Sequence, residues 1–319
     1  MLIDGKAIAN QIHAELKEKL AAFQEKKKAA SIASHHRVER SQHIASDRIS
    51  DETKKIVQKP CLAVIIVGEH PPSLIYVSKK MQACAETGID SIRIALPDTI
   101  PEDALIAEIE TLNRTAHVNG ILIQLPLPPH INSSRVIRCV DPSKDVDGLH
   151  PINVGKMLIG EQDGFFPCTP LGIKVLLERT HIDVAGKHVL ILGRSNLVGK
   201  PMAALLMQNA QGANATVTVA HSRSLHLKDI CLSADVLIAA MGQPQFITAD
   251  MVKEGAVVID VGINKMIDTA KKSGYKIVGD VDFDHVKQKC AFITPVPGGI
   301  GPMTIAMLLS NTIKSFMNR

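Results

Sequence analysis

The sequence predicts a two-domain α/β protein: an N-terminal α/β domain, then a Rossmann-like doubly wound parallel sheet, with the C-terminal helix returning to the first domain. Three observations carry the prediction. Short apolar runs without polar alternation, at 62–67 (LAVIIV), 120–125 (GILIQL) and 189–192 (VLIL), read as strands covered on both faces. Stretches with three- and four-residue apolar spacing separate them, giving the βα alternation of parallel sheets. At 187–201 the chain reads KHVLILGRSNLVGKP, a buried-type strand stopping at a glycine, a short polar loop and a helix opening with Pro201 in its first turn.

In chain order, Ile8, Ile12, Leu16, Leu20 and Phe23 predict an amphipathic helix over 5–26, with Asp4 as its cap. From 26 to 59 the sequence is polar and irregular and reads as a surface excursion or disordered loop, His35, His36 and His43 in it being solvated. Strand 62–67 follows, then a helix from Pro71 stopped by Gly88, with Leu74, Val77, Met81, Cys84 and Ala85 on its period. Next come strand 91–96, helix 101–114 opened by Glu102 and Asp103, strand 120–125, a short helix at 133–140, an acidic loop at 141–148, and a stretch without clear pattern to Phe166. The second domain is predicted as helix 169–179, the 187–201 element, strands 215–219, 234–240 and 256–261, and short helices at 225–233 and 248–253. A last helix presents Ile305, Leu308, Leu309, Thr312, Ile313 and Phe316 on one face, suited to packing on the first domain.

With 319 residues and 45% apolar composition, the chain is long enough for two cores. A net charge of +4, 3% aromatic residues and no Trp argue against nucleic acid as a partner. Asp4, Lys6 and Glu15 interrupt any signal-peptide core, and no run approaches membrane-spanning length, so a cytoplasmic protein without membrane contact is expected. Six cysteines without a C-x-x-C pair read as free thiols, and thirteen histidines without H-x-x-x-H or H-E-x-x-H spacing give no reason to expect a metal.

The chemistry begins at the glycine loop. Gly193, Ser195 and Gly199 form G-x-S-x-x-x-G, longer than the usual dinucleotide fingerprint, ahead of a helix N-terminus suited to phosphate. Where NAD sites place an acid on the ribose, this chain has His221, Ser222 and Arg223, and Arg194 adds a second cation. NADP is therefore favoured over NAD. In the first domain, Tyr76 and Lys80 lie four apart on one helix face just after a buried strand, where a partly buried lysine exchanges protons near neutrality. Gln124, near the carboxyl end of a strand, is placed to orient a neutral polar group, and Asp147 to recognise a donor-rich heterocycle.

Taken together, YVSKK, GILIQLPLP, KDVDG, PCTP, GRSNLVGKP, DVGIN, GDVDF and TPVPGGIGPMT resemble the bifunctional methylenetetrahydrofolate dehydrogenase/methenyltetrahydrofolate cyclohydrolase family over nearly the whole chain. Residues 27–58 exceed the short connection usual in that family. The resemblance implies a folate-binding catalytic domain at 1–150, with 27–58 an atypical surface insertion, completed by 296–319, and an NADP-binding domain at 151–295. It implies oxidation of 5,10-methylenetetrahydrofolate by NADP and hydrolysis of the methenyl product to 10-formyltetrahydrofolate in a cleft between the domains. By this similarity Lys80 handles the proton, Gln124 tunes it, Tyr76 stacks on the aminobenzoate, and Asp147 holds the pterin. The loop with Pro295, Gly298 and Gly299 closes over the folate, and Gly193, Arg194, Ser195, Ser222 and Ile263 line the NADP site. A homodimer is expected. The alternatives are another NADP dehydrogenase with a separate substrate domain, resembling shikimate dehydrogenase, and a non-catalytic NADP sensor. Neither gives Tyr76, Lys80, Gln124 and Asp147 a joint role.

Overall fold

The structure, a computed structural model, describes residues 1–39, 59–270 and 274–318. The chain divides into two compact units, one of residues 12–144 and 309–319, the other of residues 1–11 and 145–308.

Helix α1, Gly5–Glu39, opens with the Ala7 N–H donating to Asp4 Oδ1 at 2.9 Å, and buries Ile12, Leu16 and Leu20 on one face. It does not stop at residue 26. Lys, Glu and Ala, which dominate 25–30, are strong helix formers, so an exposed helix continues where the apolar period has ended. The expected irregular loop is thus helical as far as Glu39, while residues 40–58 and the surroundings of His35, His36 and His43 lie outside what the structure describes.

In the first unit β1 (Cys61–Val67), buried throughout, lies between β2 (Asp90–Leu96) and β3 (Gly120–Ile123), all parallel in the order β2-β1-β3. Helix α2, Pro71–Thr87, follows β1 with prolines at its start, and Gly88 caps it in the left-handed conformation at φ 86°. Helix α3, Glu102–Arg114, packs Leu105, Ile109 and Leu112 onto the β1 and β3 side chains. The short α4, Ser133–Arg138, is capped by Asn132, and its Arg135 reaches back to Glu102 and Asp103 at 2.5 and 2.9 Å. Buried Lys144 donates to the Leu112 and Thr115 carbonyls at 2.8 Å each, a cation at the end of α3.

The second unit gains α5, Pro151–Ile159, in the stretch read as patternless. Exposed Ile152, Leu158 and Ile159 hide its period, but His150 Nδ1 accepts the Ile152 N–H at 3.1 Å and Gly160 ends it at φ 85°. Then come α6 (Cys168–Arg179), β4 (His188–Leu192), α7 (Gly199–Leu206), β5 (Thr216–Ala220), α8 (Leu227–Leu232), β6 (Val236–Ala239), a 3-10 turn (Ala249–Met251) and β7 (Val257–Asp260). A hairpin of β8 (Asn264–Ile267) and β9 (Tyr275–Val278), α9 (Phe283–Val286) and the two-residue β10 (Phe292–Ile293) complete it, elements too short for a sequence period. The main sheet is parallel, ordered β10-β7-β6-β4-β5. Its β10 edge is extended by the first residues of the chain, with the Ile3 N–H donating to the Ile293 carbonyl at 2.8 Å.

Helix α10, Ile300–Met317, is the last. Its residues from 309 on belong to the first unit, where Phe316 meets Phe23 edge-to-face with centroids 5.7 Å apart and Ser315 Oγ hydrogen-bonds the Asn119 and Ser143 carbonyls at 2.7 and 2.9 Å.

In each of the two parallel sheets the first strand lies between the second and third, so chain direction across the sheet reverses at β1 and again at β4. Open α/β sheets bind ligands beyond the carboxyl ends of strands at such switch points.

Candidate active site

At the β1 switch point, α2 brings Lys80 inward while the preceding Lys79 stays exposed. Lys80 is only 7% exposed, and its ammonium donates to Gln124 Oε1 at 3.0 Å. Gln124 directly follows β3, its N–H still in register with the Ile65 carbonyl at 2.9 Å, and its amide nitrogen donates to the Leu125 carbonyl at 2.7 Å. That second bond fixes which end of the amide faces the lysine, so Lys80 meets an oxygen. The helical period alone would place Met81 and Ala85 inside, yet Met81 is half-buried, Ala85 is exposed, and Lys80 is among the buried residues. Tyr76, one turn before Lys80, is half-buried, and burial raises its phenol further above neutrality. One turn after Lys80, burial and then Cys61 push the Cys84 thiol up to about 12 against the opposing effect of Lys80, so a neutral thiol underlies the lysine. The unit thus presents a buried lysine ammonium hydrogen-bonded to a neutral amide, a group chemically able to carry a proton.

Asp147 belongs to the other unit, half-buried in the turn after Asp145, its carbonyl accepting the Cys168 N–H at 3.3 Å. Gly148 follows at φ 72°, and a Cβ there would overlap the Phe166–Pro167 backbone, so the KDVDG and PCTP motifs are packed against each other. The sequence reading passed over Asp145, which organises this turn. It is buried and accepts the Leu149 and His150 N–H groups at 3.1 and 2.8 Å and the Asn153 amide at 2.8 Å. Desolvation raises its carboxyl to about 6, with the Asp147 charge adding to the rise and these hydrogen bonds opposing it. Its place two residues before Asp147 in the same acidic loop was its only sequence signal.

The 193–199 loop lies at the β4 switch point. Gly193 sits at φ 121°, its N–H donating to the Ala220 carbonyl at 2.9 Å, and an added Cβ would overlap the Ala240 carbonyl oxygen. A Cβ on Gly199 would overlap the Gly193 carbonyl, so the loop folds back on itself at backbone contact. Ser195 Oγ accepts the Val198 N–H at 3.1 Å, shaping the turn into α7. Arg194 and Ser195 are exposed. Beyond β5, the His221 N–H donates to Ser224 Oγ at 3.0 Å and His221 Nδ1 accepts the Arg223 N–H at 3.2 Å, a closed turn from which Ser222 and Arg223 project into solvent. This cradle of glycines, helix N–H groups and two arginines, with no acid at the end of β5, fits a 2′-phosphorylated dinucleotide. Ile263 is 51% exposed between Gly262 and Asn264, just past the carboxyl end of β7.

Pro295, Gly298 and Gly299 form a tight turn into α10. The Gly298 carbonyl accepts the Lys6 N–H at 2.9 Å, and a Cβ on Gly5 would overlap the Gly299 carbonyl, which ties the turn to the start of α1. Lys80 and Gln124 are hydrogen-bonded within one unit, whereas Asp147, the dinucleotide loop, Ile263 and the Pro295 turn belong to the other.

A glycine loop at the switch point of a doubly wound parallel sheet places the second unit among the dinucleotide-binding proteins. Comparison with known proteins narrows this. Residues 167–319 match the family model "Tetrahydrofolate dehydrogenase/cyclohydrolase, NAD(P)-binding domain", and residues 36–147 match the model of the catalytic domain of the same enzymes. The bifunctional protein FolD of Protochlamydia amoebophila is 58% identical over 316 residues, 99% of this chain and 97% of that protein. The crystal structure of the Campylobacter jejuni enzyme FolD, a methylenetetrahydrofolate dehydrogenase/cyclohydrolase, superposes with a TM-score of 0.85 at 45% identity, covering 100% of this chain and 99% of the other. A Trypanosoma brucei methylenetetrahydrofolate dehydrogenase-cyclohydrolase, solved with NADP and an inhibitor, gives a TM-score of 0.85 at 36% identity over 100% and 97% of the two chains. The chain belongs to the tetrahydrofolate dehydrogenase/cyclohydrolase family.

Proposed function

We propose that this chain performs both reactions for which its family is named, oxidising 5,10-methylenetetrahydrofolate with NADP to the methenyl cation and hydrolysing that cation to 10-formyltetrahydrofolate. The observation that carries the reading is the buried Lys80 ammonium held at 3.0 Å by Gln124. A dinucleotide sensor has no use for a desolvated amine in a separate unit, and burying one costs several kcal/mol.

NADP, when bound, supplies the hydride acceptor. The chain's own residues hold it: Gly193 and Gly199 let the loop fold back on itself and turn its N–H groups into the α7 N-terminus that takes the phosphate, Ser195 and Ser222 offer hydroxyls, and Ile263 gives an apolar surface. Arg194 and Arg223 meet the 2′-phosphate. Replacing both by Ala weakens NADP about a hundredfold, two charge-assisted contacts at roughly tenfold or more each, and leaves NAD nearly unchanged in calorimetric titration. Equal loss for both dinucleotides would contradict this role.

For the second reaction, water adds to the methenyl carbon and its proton passes to Lys80 in the amine form. Lys80 then delivers that proton to N5 as the carbon–N5 bond breaks, leaving the formyl group on N10, while the second water proton goes to solvent. Gln124 accepts from the ammonium without neutralising it, so the amine remains able to lose its proton, which a carboxylate in that place would hinder. Tyr76 stacks on the aminobenzoate ring, Asp147 accepts from the pterin donors, and Pro295, Gly298 and Gly299 close over the folate. Methenyltetrahydrofolate supplied alone, without dinucleotide, tests this half. It is hydrolysed faster than in buffer, and a rate equal to buffer would overturn the proposal. We place the enzyme in the cytoplasm, consistent with six cysteines all present as free thiols, and as a homodimer, for which sedimentation at the monomer mass would be the contrary result.

A further inference from the structure

Two buried carboxylates have no part in these roles. Asp260, at the end of β7, is 3% exposed, and Asp280, two residues past β9, is fully buried. Asp260 Oδ1 accepts the N–H groups of Gly262 and Asp280, both at 2.9 Å, and Oδ2 that of Val281 at 3.0 Å. Asp280 Oδ2 accepts the N–H groups of Met241 and Gly242 at 2.6 and 2.9 Å, and Oδ1 the side-chain amide of Asn264 at 2.8 Å. Each carboxylate therefore has three donors, as a buried anion needs. A Cβ on Gly262 would overlap Asp280, and one on Gly279 would overlap Asp260, so both glycines exist to admit these side chains.

The segments joined in this way border the features assigned to the dinucleotide. Residues 241–242 follow Ala240, whose carbonyl is packed against Gly193. Gly262 and Asn264 flank Ile263, one anchored to each carboxylate. Resting on the reading of Gly193 and Ile263 as walls of the NADP site, we infer that Asp280, supported by Asp260, is a positioning residue for dinucleotide binding. It fixes the strand end behind Gly193 and the loop carrying Ile263 with one carboxylate. Neither carboxylate accepts a hydrogen bond from a residue assigned to the folate, so the loss of the Asp280 carboxylate is felt at the dinucleotide.

Calorimetric titration of NADP into the parent protein, Asp280→Asn and Asn264→Ala tests this, alongside the KM and kcat of both reactions. Asp280→Asn keeps the shape but turns an amide N–H toward backbone donors. Asn264→Ala removes one bond at a half-buried site and keeps the test open if Asp280→Asn fails to fold. NADP binding and the KM for NADP worsen about ten- to a hundredfold in Asp280→Asn and less in Asn264→Ala, the scale of a small misplacement of binding groups. The dehydrogenase kcat at saturating NADP and the hydrolysis of supplied methenyltetrahydrofolate stay at parental values. Folded variants that bind NADP as the parent does would overturn the inference, as would parallel loss of both reactions with a lowered melting temperature. A parent protein that takes no NADP would instead sink the proposed function.

Discussion

Lys80→Met lowers hydrolysis of methenyltetrahydrofolate about a hundredfold or more and leaves NADP binding intact. Methionine fills nearly the volume of the lysine stem without the ammonium, and Lys80 is buried on α2, so packing is preserved. Two stability effects oppose each other. Removing a buried charge relieves a desolvation penalty, while Gln124 Oε1 loses its donor at a cost of about 1–3 kcal/mol. The melting temperature therefore moves little, and loss of activity is a loss of chemistry. Proton transfer by a positioned group contributes about a hundred- to ten-thousandfold, and hydrolysis falls by that factor. NADP affinity does not change, because the 193–199 loop belongs to the other compact unit. Hydrolysis at the parental rate would remove Lys80 from its role.

The second large effect is at Gly193. Alanine there faces a φ of 121° and overlap with the Ala240 carbonyl, which adds backbone strain of about 1–3 kcal/mol to overpacking of about 1–3 kcal/mol. Gly193→Ala lowers the melting temperature and weakens NADP at least about tenfold by moving the loop off the α7 N-terminus, while any folded fraction still hydrolyses methenyltetrahydrofolate. Gly160 provides the comparison. It too has a positive φ, 85°, but nothing lies within 4 Å of the added Cβ, so Gly160→Ala bears only the strain and keeps parental NADP affinity. Parental stability and affinity in Gly193→Ala would contradict the account of the loop.

The central strands β1, β3, β4, β6 and β7 were legible because each is a nearly continuous buried run, and the helices whose stops are chemical, such as α2 ending at Gly88, were equally so. Propensity without periodicity carried α1 through exposed lysines and alanines, which a search for an apolar stripe cannot see. The hairpin β8–β9 and β10 are too short to show a period, and the pairing of residues 1–3 with β10 joins the two ends of the sequence. At the site, Lys80 was legible from its place after a buried strand, and the basic corner at 221–223 from the missing acid. The buried acids Asp145, Asp260 and Asp280 were not. An aspartate that satisfies backbone donors looks in sequence like one that faces solvent, and only its three-dimensional neighbours distinguish them.

The central claim is that one chain carries out both steps, with Lys80 in the second. Its most direct measurement follows purified protein mixed with 5,10-methylenetetrahydrofolate and NADP, or NAD, by the absorbance of the reduced dinucleotide and of the methenyl product. The account predicts reduction with NADP, faster than with NAD, and 10-formyltetrahydrofolate as the end product in the parent protein, with methenyltetrahydrofolate accumulating in Lys80→Met wherever hydride transfer persists. No turnover with either dinucleotide would contradict it.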